Sequence, residues 1–284
     1  LDKLKLIECP RDAMQGIKAF IPTEVKARYI NELLQVGFYN IDVGSFVSPK
    51  AIPQMKDTAD LIKLLDLSST TSKLSTIVAN RRGAHDAVVF DEIDFLGYPF
   101  SISETFQLRN TNATIEESFQ RVADIQAITI KNDKELLIYI SMGFGNPYGD
   151  EWNVEIVKSY IRKLYSMGIK KFSLSDTIGV SSPENISYLF SNLIPLFPDV
   201  EFNAHLHTTP DKWEEKVHAA YVNGCRSFDG AIKGYGGCPM AKDDLTGNMP
   251  MEKMINYFDK NEIATDLDMG KFQSAMDLSS SVFH

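Results

Sequence analysis

Eight times along this chain a short apolar or β-branched run is followed by a polar loop and then by a longer segment with helical spacing. The strand-like runs cover residues 4–9, 39–43 and 73–79, then 88–90 or 93–96, then 136–141, 171–176, 202–207 and 227–232. Helices are expected from Thr23, a candidate cap, to about residue 37, and over 114–132 behind Thr114-Ile115-Glu116-Glu117 in capping-box spacing. Further helices are expected over about 154–168, from Ser182-Pro183-Glu184 onward, over 211–224 and near 250–259. Strand–helix units in one run, with no linker rich in Pro, Gly or Ser between them, predict an α/β fold, a single (β/α)8 TIM barrel. The domain is expected to span residues 1–284, closing on a helical segment at about 265–284. An open doubly wound sheet would advertise a glycine-rich phosphate turn after its first strand, and that position holds Pro10-Arg11-Asp12-Ala13. With 284 residues, 44% of them hydrophobic, the chain has ample apolar material for one large core.

In a barrel the chemistry sits at the carboxyl ends of the strands. Polar groups collect there: Arg11 and Asp12 after the first strand, Asp42 and Ser45 on and after the second, and Asp176-Thr177 ending the sixth. The seventh carries Asn203-Ala204-His205-Leu206-His207, where a period of two sends Phe202, Ala204 and Leu206 to one side and both imidazoles to the other. Neutral imidazoles sharing a small volume are good ligands for a divalent cation. An isolated His-x-His is more often two ordinary polar residues. Each neighbour also has a plain reading, a helix cap for Asp176-Thr177 or a surface pair for Arg11-Asp12, but their meeting on one rim favours a single site.

The net charge of -9, from 29 basic and 38 acidic residues, argues against a nucleic acid or an anionic membrane as the main partner. An anionic small molecule would need a local basic site. Three scattered cysteines, Cys9, Cys225 and Cys238, form no disulfide framework, and neither a membrane-length apolar run nor a secretory leader is evident, so a cytoplasmic, reducing setting is expected.

Six motifs together resemble the 3-hydroxy-3-methylglutaryl-CoA lyase family, in that family's order over nearly the whole chain. They are Cys9-Pro10-Arg11-Asp12-Ala13-Met14-Gln15, Ser45-Phe46-Val47-Ser48-Pro49-Lys50, Ile115-Glu116-Glu117-Ser118-Phe119-Gln120-Arg121, Ser175-Asp176-Thr177-Ile178-Gly179, His205-Leu206-His207 and Gly236-Gly237-Cys238-Pro239. The resemblance implies a barrel that binds Mg²⁺ or Mn²⁺ and cleaves an acyl-CoA substrate to acetyl-CoA and acetoacetate, as in leucine degradation and ketone-body formation. It implies Asp12, His205, His207 and Asn248 as metal ligands, a set whose chemistry alone also admits Zn²⁺ or Fe²⁺. It further implies Arg11 and Asp42 in catalysis, Cys238 as proton donor on a loop able to close, Lys18, Ser45, Asp176 and Thr177 toward substrate, and a homodimer.

Departures from the family pattern accompany the matches. Asp42 stands where the family typically has Glu, a carboxylate one methylene longer, and a misplacement of about 1 Å can cost about a hundredfold in rate. Thr208 follows the His-x-His where the family usually has an Asp suited to orienting a ligating imidazole. Residues 240–245 also differ in charge from the family's usual loop. Two other functions therefore stay open on sequence grounds: a related metal-dependent aldolase or Claisen synthase on another acyl-CoA or 2-oxo acid, and a catalytically silent barrel that binds metal or acyl-CoA.

Overall fold

The computed structural model describes residues 3–237 and 246–283. Among them run eight parallel strands, β1 (Lys5–Glu8), β2 (Asn40–Ser45), β3 (Lys73–Ile77), β4 (Phe95–Ser101), β5 (Glu135–Ser141), β6 (Lys171–Asp176), β7 (Glu201–Thr208) and β8 (Ser227–Gly230). Each pairs with its neighbour in sequence order, and β8 returns to β1 with Lys5 opposite Ser227 and Glu8 opposite Gly230, which closes a barrel. A two-residue strand, β9 (Gly247–Asn248), lies antiparallel to the end of β7 and puts Asn248 opposite His207.

The helices are α1 (Pro10–Gln15), α2 (Thr23–Leu34), α3 (Thr58–Ile62), α4 (Arg81–Val88), α5 (Glu104–Thr111) and α6 (Ile115–Lys131), followed by α7 (Val154–Ser166), α8 (Pro183–Leu196), α9 (Trp213–Val222), α10 (Met251–Lys260) and α11 (Met269–Ser279). No described helix is long and apolar enough to cross a membrane.

Two local rules act as the sequence predicts. Thr114 and Glu117 exchange both bonds of a capping box at the start of α6, and Ser182 caps α8 with Pro183 in its first turn. Elsewhere the structure corrects the reading. Pro10, with its φ pre-set for a helix, opens α1, so Arg11 and Asp12 sit in a helical turn rather than in a plain loop. Thr23 does not cap α2; Pro22 holds that position, and the Thr23 hydroxyl donates to Asp57 instead. Of the two alternatives for the fourth strand, residues 88–90 fail, since Val88 ends α4 and Val89 is exposed, while 93–96 catch its start, the strand running from Phe95 to Ser101. Gly97 and Pro99 weaken its strand signal, yet a Cβ on Gly97 would lie 2.8 Å from both Ile77 and Tyr139.

Alternation along the strands separates two interiors. On β5, Ile138 and Ile140 face the helices and join the main apolar core, while Leu137 and Tyr139 face into the barrel with Ile77. Other inward positions are polar and paired: Asn40 donates to Ser75 and Asn203 to Ser173, both at 2.8 Å. The barrel interior thus provides a rigid, partly polar platform beneath the carboxyl-end rim.

Candidate metal centre

The end of β1 and the start of α1 deliver Arg11 and Asp12 to the rim, both buried. On β7, Phe202 turns outward and stacks on Phe172, whereas His205 and His207 turn inward with ring centroids 5.2 Å apart. Ligand atoms of Asp12, His205 and His207 all lie within 4.8 Å of one another. Asp12 Oδ2 sits 4.0 Å from His207 Nε2, and neither atom has a hydrogen-bond partner among the described residues. Buried polar atoms left unpaired cost free energy. A carboxylate oxygen and imidazole nitrogens converging on one point are a donor set that a divalent cation relieves, so these residues fit such an ion.

The second nitrogen of each imidazole is already committed. His205 Nδ1 donates to Asp229 Oδ2 at 2.8 Å, and His207 Nδ1 donates to the Thr177 carbonyl at 3.1 Å. A carbonyl only accepts, so neutral His207 carries its proton on Nδ1 and keeps a lone pair on Nε2. Burial, and then the neighbouring His205, lower the pKa of His207, which favours this neutral form. Burial also pulls on His205, but its hydrogen bond to Asp229 and that carboxylate's charge outweigh it and raise the pKa. Burial pushes Asp12 upward, and Arg11, the two histidines and Asn248 bring it down to about 2, leaving a carboxylate at neutral pH.

Arg11 is gripped on three sides. Its Nε and Nη2 donate to Asp42 Oδ2 at 2.9 and 2.6 Å, and its Nη1 donates to Asp12 Oδ1 at 3.0 Å and to Gln15 Oε1 at 2.9 Å. The shorter carboxylate of Asp42 therefore reaches its guanidinium. Asp42 is fully buried and stays off the cavity wall, so it touches the site through Arg11. Asn248 Nδ2 donates to the Tyr235 carbonyl at 2.8 Å. The next residue, Gly236, has φ +83°, and a Cβ there would lie 2.6 Å from Ala13 Cα and 2.7 Å from the Asp12 carbonyl oxygen, so the turn packs directly on the backbone of Asp12 and Ala13. Cys238 and residues 240–245 lie outside the described residues.

A cavity of about 450 Å³ opens over this cluster, with Arg11, Asp12, Tyr139, Thr177, His205 and His207 on its wall. Thr177 is where the sequence reading puts it. Ser45 and Asp176 are not on that wall, because the loops that follow them consume their oxygens. Ser45 Oγ accepts from the Val47 amide. Asp176 Oδ1 accepts from the Val180 amide, and Oδ2 accepts from Ser181 and Lys216. Lys18 is exposed between α1 and α2 and is also off the wall. The Thr208 hydroxyl donates to the Thr209 carbonyl; the orienting task expected of an acid there falls to Asp229 and the Thr177 carbonyl.

Sequence reasoning passed over Asp229, Tyr139 and Gln15. Asp229 had a usable signal, since Ser227-Phe228-Asp229-Gly230 alternates with Asp229 on the inner face, beside β7. Tyr139, whose ring meets His205 edge-on at 5.7 Å, and Gln15, whose amide donates to Asp12 at 2.7 Å, became visible only once the barrel had closed.

Relatives share this architecture along its length. The mitochondrial hydroxymethylglutaryl-CoA lyase of Mus musculus is 32% identical over 278 residues, 97% of this chain and 84% of the relative. The crystal structure of the HMG-CoA lyase from Brucella melitensis superposes with a TM-score of 0.92 at 28% identity, covering 99% of each chain. An HMG-CoA lyase from Acinetobacter baumannii, solved in complex with coenzyme A and 3-methylmalate, gives 0.91 at 28% identity, covering 99% of this chain and 91% of the other. The model of the HMGL-like family matches residues 4–279, so the closed barrel with its Asp12, His205 and His207 cluster belongs to the HMGL-like family.

Proposed function

We propose that the chain is a divalent-metal-dependent lyase that cleaves 3-hydroxy-3-methylglutaryl-CoA to acetyl-CoA and acetoacetate. The observation that carries this reading is the buried trio Asp12, His205 and His207, with Asp12 Oδ2 and His207 Nε2 unpaired among the described residues, beside a tightly held Arg11 in the rim cavity. Asp12, His205, His207 and Asn248 would hold the ion, Mg²⁺ or Mn²⁺. When bound, it supplies Lewis-acid polarisation that lowers the pKa of the substrate's tertiary hydroxyl.

In the cleavage the hydroxyl proton goes to a base, and the oxygen's electron pair closes the new ketone. The broken carbon–carbon bond leaves its electrons in the thioester enolate, whose carbon then takes a proton. Among the described residues four of Arg11's five N–H groups are bound, and the fifth, on Nη2, is assigned to the enolate oxygen. Burial opposes the charge of Arg11, but Asp42 and Asp12 outweigh it, and its pKa is raised. Asp42 holds the guanidinium in place, and Cys238 is assigned the proton returned to carbon. Thr177 is assigned to the acyl portion of the substrate, and the exposed Lys18 to the coenzyme's phosphates. The protein is read as a cytoplasmic homodimer of single-domain protomers; the free, buried Cys9 and Cys225 suit a reducing compartment.

The test is acetoacetate release from 3-hydroxy-3-methylglutaryl-CoA by purified protein with Mg²⁺ or Mn²⁺, beside a chelated sample and His207→Ala. Metal-dependent release that both controls lose is expected. A folded, metal-loaded protein that releases none would sink the assignment.

A further inference from the structure

Behind the His-x-His strand lies a charged group that stays off the cavity over the metal cluster and borders a smaller one of about 270 Å³ beside Gly179 and Thr209. Lys216, on α9, is 2% exposed, an unusual place for an ammonium. It donates to Asp176 Oδ2 at 3.0 Å, to the His207 carbonyl at 2.7 Å and to the Gly179 carbonyl at 3.4 Å. Asp176 ends β6 and holds the following loop through Val180 and Ser181, so a single ammonium ties the ends of β6 and β7 to α9. His207 is then held at both ends: its ring by the Thr177 carbonyl, the residue after Asp176, and its main chain by Lys216.

We propose that Lys216 is a positioning residue for the metal centre, fixing the backbone of His207 so that Nε2 keeps its place opposite Asp12. This rests on the metal-dependent reading above. Two physical points support it. A buried pair bonded only for stability needs no third contact to a ligand's own carbonyl, and a shift of a fraction of an ångström in a ligating atom weakens coordination steeply. Thr208 spends its hydroxyl on the Thr209 carbonyl, and while Asp229 and the Thr177 carbonyl orient the imidazoles, the His207 main-chain carbonyl is held by Lys216.

The experiment measures Mn²⁺ binding to the metal-free protein by calorimetry, with no substrate present. Lys216→Met alone would strand the Asp176 carboxylate in the interior, so the informative variant pairs Lys216→Met with Asp176→Asn, which removes both charges together. Its Mn²⁺ affinity is expected to fall about tenfold or more while cooperative unfolding is retained, the range seen when partners of metal ligands are lost. Lys216→Arg keeps the charge but presents a wider, planar head at the His207 carbonyl, and a loss of at least about threefold is expected there. Affinity within about twofold of wild type in either folded variant overturns the proposal. His207→Ala separates the two levels of inference. If wild type binds no Mn²⁺, or His207→Ala binds as well as wild type, the metal reading itself falls. If His207→Ala loses binding and the Lys216 variants keep it, only the role of Lys216 falls.

Discussion

Asp42 is the residue at which sequence and geometry meet most directly. A carboxylate one methylene shorter than the family's raises the question of reach, and the 2.6 and 2.9 Å bonds from Arg11 answer it: the guanidinium and the acid are fitted to one another here. Because Asp42 is fully buried, an added methylene has no solvent to enter and must displace Arg11 or the strand. Asp42→Glu is therefore expected to lower kcat by about 10- to 100-fold with KM little changed, as for a misplacement near 1 Å. Steady-state kinetics check it, and a rise in kcat would mean that the site had drifted from lyase activity. Of the proposed metal ligands, His205 and His207 were legible from the alternation of one strand, and the rule that barrels act at strand ends put Asp12 on the same rim, while its place in the ligand set came from the family resemblance. Ser45 and Asp176 lie off the cavity wall, since a polar residue at a strand end serves a loop amide as readily as a ligand, and the bonds they make are to loop amides.

At the level of elements, the capped helices α6 and α8 were readable, and the strand bearing Gly97 and Pro99 was readable only at its start, since those two residues serve packing inside the barrel rather than strand propensity. The same logic governs α5, whose far end places Arg109, Asn110 and Thr111 on the cavity wall. Its near end is held from outside by Asp150, which accepts from Ser103 Oγ at 2.5 Å and from the Thr105 amide and hydroxyl at 3.0 Å each. Ser103 caps α5 locally by accepting from the Phe106 amide, but no local pattern announces a second anchor from a loop 45 residues away. Asp150→Ala frees these three donors and is expected to cost about 1–2 kcal/mol in chemical denaturation. It should also raise KM more than it lowers kcat, because α5 carries cavity wall and none of the proposed metal ligands. An unchanged KM would show that the far end of α5 keeps its place without this anchor.

Across the whole molecule, the proposed site occupies the rim and a charge cluster lies at the opposite end of the barrel, where the strands begin. There Glu201 Oε2, at the start of β7, takes Lys5 Nζ of β1 at 2.5 Å and Lys171 Nζ of β6 at 3.2 Å, and Lys171 also lies 3.7 Å from Glu135 of β5. Four strands share this partly buried charge cluster. Burial pushes the Glu201 pKa up, but Lys171 and Lys5 outweigh it and hold it below the ordinary glutamate value. A depressed folded-state pKa adds stability that is fully present above the unfolded value of about 4.3 and is lost as the pH falls through the folded value. Glu201→Gln should thus cost about 1–3 kcal/mol at pH 7, a drop of several degrees in Tm, with Mn²⁺ affinity untouched at the far rim. The gap between variant and wild type should close as both are acidified below about pH 4. Thermal unfolding at pH 7 and across the acid range measures both effects. A gap that stays constant with pH would mean that Glu201 contributes by packing, and that the barrel closes through its β1–β8 hydrogen bonds without help from the charges beneath them.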